Sequence, residues 1–79
     1  MAILRLFASA REAAGTGRAE FDGATVGEVL RAASTAYGEA FVAVLGTCKV
    51  WVNGEHAEHG TTVGGRDEVA VLPPVSGGG

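Results

Sequence analysis

Basic residues are few and scattered in this 79-residue chain, six lysines and arginines against nine acidic side chains, for a net charge of −3. Without a Lys/Arg run to neutralise phosphates a nucleic-acid surface is not expected, and the acidic balance points mildly to a more basic partner. Cys48 is the single cysteine, so no intramolecular disulfide can staple the fold. No apolar run approaches the length of a membrane span, and the first strand-like segment carries Arg5, unlike a signal peptide. A soluble protein of the reducing cytoplasm, with neither nucleic acid nor membrane as partner, is therefore expected. At this length the chain makes one domain, near the size where a single core supplies only about 3–5 kcal/mol of net stability.

What is present is concentrated at the end. Leu72-Pro73-Pro74-Val75-Ser76-Gly77-Gly78-Gly79 closes the chain. The prolines restrict φ and stiffen a stem, and glycines without side chains add nothing to a core. A bare thread ending in a carboxylate can enter a narrow tunnel in another protein, because no Cβ clashes with the walls. Extended, residues 76–79 reach roughly 13–14 Å. A glycine-ended tail alone equally describes a frayed terminus, so its meaning depends on what precedes it. The expected organisation is a domain over residues 1–75 and a flexible tail over 76–79.

Met1 to Ala8 reads as a strand, with Leu4, Leu6 and Ala8 on one face and Ile3, Arg5 and Phe7 on the other. Ser9 to Gly15 is a helical turn that Ser9 can cap and Gly15 stops. A weaker strand spans Arg18 to Phe21. Thr25-Val26-Gly27-Glu28 fits a capping box, and Val26, Val29, Leu30, Ala33 and Tyr37 follow at helical spacing before Gly38. Glu39 to Leu45 can add another turn of helix. Thr47 to Val52 alternates as a strand into Asn53-Gly54, a hairpin signal, with a brief return over Glu55 to Glu58. Gly64-Gly65-Arg66-Asp67 turns the chain into a last strand, Glu68 to Leu72. One main helix across a mixed sheet of four to five strands, with the apolar first and last strands at its centre, is an α+β roll of the β-grasp, ubiquitin-like type.

Two stretches carry a family resemblance. Leu4-Arg5-Leu6-Phe7-Ala8-Ser9-Ala10-Arg11-Glu12-Ala13-Ala14-Gly15 resembles the opening of the MoaD/ThiS sulfur carriers, and Asp67 to Gly78 resembles their ending. Val52-Asn53-Gly54 and the spacing of the central helix agree. The Pro-Pro-Val-Ser-Gly-Gly ending is most similar to small subunits of molybdopterin synthase. The resemblance implies a protein-bound cosubstrate rather than a catalyst. An adenylating, E1-like enzyme uses ATP to convert the terminal carboxylate into an acyl-adenylate, and a sulfur donor enzyme then leaves a thiocarboxylate. The tail inserts into the large catalytic subunit and donates its sulfur to a pterin precursor. No bound cofactor or metal is implied. Gly79 would carry the thiocarboxylate, or Gly78 after trimming, since the family ends in two glycines and this chain in three. Pro73, Pro74, Val75, Gly77 and Gly78 would contact the partner as the tail inserts. Arg11 matches a basic position that contacts the activating enzyme, or is a solvated helix charge. Where the family has glycine before Asp-Glu, this chain has Arg66, so either the turn shifts or Arg66 adopts a left-handed φ.

Alternation adds a docking candidate. If Val69 and Val71 face the core, Leu72 faces outward together with Phe7, and the two can form an apolar patch beside the tail; ordinary core packing is the alternative. Trp51, opposite Val50 and Val52, either extends that patch or builds a second small core. Other features read as structural. Cys48 is expected as a small buried hydrophobe. His56 and His59, near Glu55 and Glu58, lack the further ligands of a metal site. Gly15-Thr16-Gly17 lacks the context of a dinucleotide loop, and Ser9 and Ser76 lack a histidine partner. Sulfur delivery to thiamine, cysteine or tRNA thiolation remains open, as does a ubiquitin-like modifier that forms isopeptide bonds, or an interaction module with an inert tail.

Overall fold

The computed structural model describes residues 1–74. Period-two alternation builds its sheet: in β1 (Ala2–Leu6) Ala2, Leu4 and Leu6 are buried while Ile3 and Arg5 are half-exposed. Along β5 (Glu68–Leu72) Val69 and Val71 are buried and Leu72 is exposed. β2 (Arg18–Phe21), β3 (Lys49–Val52) and the two-residue β4 (Glu55–His56) complete five strands in the order β2-β1-β5-β3-β4. β1 and β5 run parallel at the centre, and the other pairs are antiparallel. This is the expected α+β β-grasp, with the full five strands.

Three helices cover one face of the sheet, the expected main helix and two short ones where single helical turns were expected. α2 (Val26–Tyr37) is the long one and buries Val26, Val29, Leu30 and Ala33. α1 (Ala8–Ala14) and α3 (Glu39–Leu45) have seven residues each, too short to hold in isolation. Ala10 and Phe41 tie them to the core. Phe41 is fully buried and meets Tyr37 edge-on at 5.2 Å, and Tyr37 meets Phe21 at 5.8 Å.

Caps and turns refine several expectations. Thr25 Oγ1 accepts the Glu28 N–H at 3.3 Å, but the reciprocal bond of the box goes to the Ala24 N–H rather than to Thr25's own. The next orphan amides of α2 are claimed by a loop: Val26 N–H donates to Thr61 O and Gly27 N–H to His59 O. Ser9 does not cap α1. The helix begins one residue earlier, with Phe7 in extended backbone at the cap and Ala8 at φ +50, and Gly15 ends it at φ +79. Asn53 (φ +50) and Gly54 (φ +84) form the two-residue hairpin turn between β3 and β4. At Arg66 the turn, not the residue, has adapted. Ala8 and Asn53 are the non-glycine residues with positive φ among those described, and Arg66 is not one of them. Asp67 N–H donates to Gly64 O while Asp67 Oδ2 accepts the Gly64 N–H at 2.7 Å, so the turn closes without left-handed backbone.

Candidate functional site at the end of the last strand

β5 lies at the sheet centre with a strand on either side, and its last residue leads directly into Pro73 and Pro74. The helices occupy the inner face, so outward residues of β1, β5 and β3 form a surface beside that exit. Register arranges them in rows. Leu72 pairs with Lys49, and Phe7 follows Leu6, whose partner is Val71. Phe7 and Leu72 are therefore neighbours across the parallel pair, 41% and 37% exposed. These values favour the exposed patch over core packing for both side chains. Trp51 extends it: Lys49, Trp51, Leu72, Pro73 and Pro74 line a shallow cavity of about 370 Å³. The half-buried indole also meets His56 edge-on at 5.6 Å, so Trp51 serves the outer face instead of a second core.

The next row, one step further along the strands from the stem, sets two arginines beside Ala70 and Trp51. Arg5 pairs across the sheet with Ala70 on one side and Arg18 on the other. Its guanidinium lies 6.0 Å from the Phe7 ring centroid and 3.7 Å from a Glu68 carboxylate oxygen. The Nε of Arg5 is buried without a hydrogen-bond acceptor. Arg11 is exposed on α1 and lies over the chain leaving that helix; a β-carbon at Gly17 would sit 3.3 Å from its Nε. This places Arg11 at the same end of the sheet as Phe7, because Gly17 O accepts the Leu6 N–H.

Phe7, Leu72, Pro73 and Pro74 are thus brought together, with Arg11 at their flank. Val75, Gly77, Gly78 and Gly79, and the boundary between domain and tail, lie outside the described residues. Lys49 and Arg5 belong to this surface and were not singled out beforehand; β-strand alternation puts Lys49 on the face of Trp51, which was the available signal. Cys48 is half-buried; burial raises its thiol pKa and its Sγ donates to Val44 O at 3.2 Å, so it stays protonated and poorly nucleophilic. His56 and His59 are exposed, and no group of three metal-ligating side chains occurs among the described residues. No described helix is long and apolar enough to cross a membrane.

A β-grasp sheet whose central last strand runs into a proline stem beside an exposed apolar patch defines a ubiquitin-like protein. The chain belongs to the ThiS family, whose model matches residues 4–78. Among solved structures it resembles small archaeal modifier protein 1 of Haloferax volcanii, with 39% identity, 98% of each chain covered and a TM-score of 0.81. The Methanosarcina acetivorans small archaeal modifier protein 1 is 30% identical over 98% of this chain and 95% of its own, with a TM-score of 0.87. Subunit 1 in the complex of molybdopterin-converting factor subunits 1 and 2 from Helicobacter pylori shares the fold (24% identity, coverage 98% and 97%, TM-score 0.72). Comparison with curated proteins returns no match. The family and these neighbours make the chain a sulfur carrier or ubiquitin-like modifier.

Proposed function

We propose that the protein is the sulfur carrier of molybdopterin biosynthesis, the small subunit of a molybdopterin synthase. The observation that supports this reading most is the direct passage of β5 from the sheet centre into Pro73-Pro74 beside Phe7, Leu72 and Trp51. A core strand fixes the root of the tail, the prolines stiffen it, and an apolar surface beside it can dock a partner while the tip enters an active site.

The chemistry resides at the tip. A carboxylate is a poor electrophile until AMP supplies a leaving group. An E1-like enzyme therefore joins the terminal carboxylate to the α-phosphate of ATP and releases pyrophosphate. Sulfur at the oxidation level of hydrosulfide, delivered by the donor enzyme, then attacks the unhindered glycine carbonyl, and AMP and a proton leave, giving a thiocarboxylate at Gly79, or at Gly78 in a trimmed chain. Val75, Gly77 and Gly78 would pass into the active site of the large synthase subunit; a complex of subunits 1 and 2 is named for the Helicobacter pylori factor. Catalytic acids and bases belong to these partners, and the cytoplasm supplies them and ATP. A second reading, a modifier joined to protein lysines, is favoured by the 39% and 30% identical neighbours named as small archaeal modifiers. Both readings share the adenylation step, and delivery to another sulfur pathway shares the thiocarboxylate.

Intact mass after incubation with ATP, the cognate adenylating enzyme and a sulfur donor tests the proposal. Replacement of one oxygen by sulfur in the terminal peptide, followed by loss of that sulfur to a pterin precursor with the large subunit, is the expected outcome. Conjugates to other proteins with no thiocarboxylate product would replace it by the modifier reading.

A further inference from the structure

The chain is acidic overall, yet its outward sheet face is polarised along the strands. The row nearest the tail carries Phe7, Leu72 and Lys49; the second carries Arg18, Arg5, Ala70, Trp51 and His56; the third carries Glu20, Ile3 and Glu68. Cations thus occupy the two rows beside the tail, and the carboxylates lie one row further away. Arg11 lies at the same end, and Glu12 beside it in sequence is the one carboxylate among the first eighteen residues. Four of the six basic side chains (Arg5, Arg11, Arg18 and Lys49) therefore surround the tail exit, leaving Arg31 and Arg66 elsewhere.

Arg5 and Arg18 are opposed directly across antiparallel strands, an arrangement that destabilises a sheet. Relief within the chain is slight. Arg5 meets Glu68 at 3.7 Å and Arg18 meets Glu20 at 3.6 Å, both pairs half-exposed to water, where such contacts contribute little. Fold stability does not account for two arginines held side by side. Carboxylates from outside would.

We propose that the adenylating enzyme that receives the tail presents an acidic rim, with carboxylates over the Arg5–Arg18 pair and Lys49, around an apolar centre that takes Phe7 and Leu72. This inference rests on the carrier reading and names the chemistry of the partner surface. Whole-chain charge pointed to a basic partner; the local field at the docking end has the opposite sign, and it is the local field that a partner meets at contact distance, because salt screens more remote charges within about 8–10 Å. Steering of this kind acts on association, so it falls with ionic strength.

The test is pyrophosphate exchange catalysed by the cognate adenylating enzyme on the full chain, measured from 50 to 500 mM NaCl. Three proteins are compared: wild type, the double variant Arg18→Glu/Lys49→Glu, and Arg66→Glu as a charge-reversed control at the far turn. Circular dichroism melting verifies that each is folded, and Arg18→Gln/Lys49→Gln substitutes if the double reversal is not. The expected result is a wild-type KM that rises about tenfold with salt and a similar rise in the double variant at low salt, with kcat retained and Arg66→Glu unaltered. A KM insensitive to salt and to the double variant, with turnover intact, overturns the acidic rim and leaves the carrier reading standing. An equal effect of Arg66→Glu overturns it too, by assigning the steering to total charge. Exchange absent even for wild type refutes the carrier reading, and this inference with it.

Discussion

Leu72 and Val71 are consecutive residues with opposite duties, and exchanging each in turn separates folding from docking. Val71 is fully buried, so Val71→Ala removes two buried carbons at about 0.8 kcal/mol each and leaves a cavity besides, about 2–3 kcal/mol in total. Against the net stability of about 3–5 kcal/mol that a core of this size supplies, that lowers the melting temperature by about 10–20 °C. Leu72→Gln keeps a side chain of similar length and can turn its amide toward water through the 37% that is exposed, so its effect on stability is about 1 kcal/mol or less. At an interface the same amide is buried without a partner, which costs about 1–3 kcal/mol, a rise of about 5- to 150-fold in KM for the adenylating enzyme. Urea denaturation and pyrophosphate exchange on both variants give the four numbers needed. A Leu72→Gln protein as unstable as Val71→Ala would make Leu72 part of the core. One with unaltered stability and unaltered KM would remove the patch from the docking surface.

Three further outcomes are expected. Hydrogen bonds from Asn53 and Gly64 depress the Asp67 carboxyl pKa; the folded state therefore gains stability above the unfolded pKa that is lost as pH falls through the depressed one. Melting temperature followed from pH 6 to pH 2 should fall less steeply for Asp67→Asn than for wild type, and identical slopes would refute the linkage. Ala8, at φ +50, should accept glycine with no loss of stability, whereas Ala8→Val should lose about 1–2 kcal/mol in urea titrations, since β-branching is penalised in left-handed backbone. Thr25→Ala removes the hydroxyl that accepts the Glu28 N–H and should lower stability by about 1 kcal/mol by the same measurement.

The sequence was most legible where a local pattern and the tertiary demand coincide. Alternation placed Val69 and Val71 inside and Leu72 outside, and helical spacing identified the buried stripe Val26, Val29, Leu30 and Ala33. It was least legible where one element's start depends on its neighbour. Ser9 has the chemistry of a cap, but β1 ends at Leu6 and Ala8, at φ +50, is already the first residue of α1, so the helix begins before Ser9 can cap it. Trp51's face followed from alternation; its position over the stem required the Lys49–Leu72 pairing. Arg5 and Arg18 are thirteen residues apart, and only the β1–β2 register makes them opposites. Charge counted along a chain says nothing about charge arranged across a sheet.

The attachment of the stem to β5 also has a mechanical meaning. Force applied at the tail, whether by a partner withdrawing or by an unfolding machine that grips the C-terminus, is transmitted along a strand bonded to β1 on one edge and β3 on the other. Sheet hydrogen bonds lie across the strand direction, so a pull along β5 loads both ladders in shear, many bonds at once, instead of unzipping them singly. Resistance to forced unfolding is governed by the unfolding rate rather than by equilibrium stability. A small domain joined in this way meets a pull on its C-terminal stem with two ladders of bonds acting together.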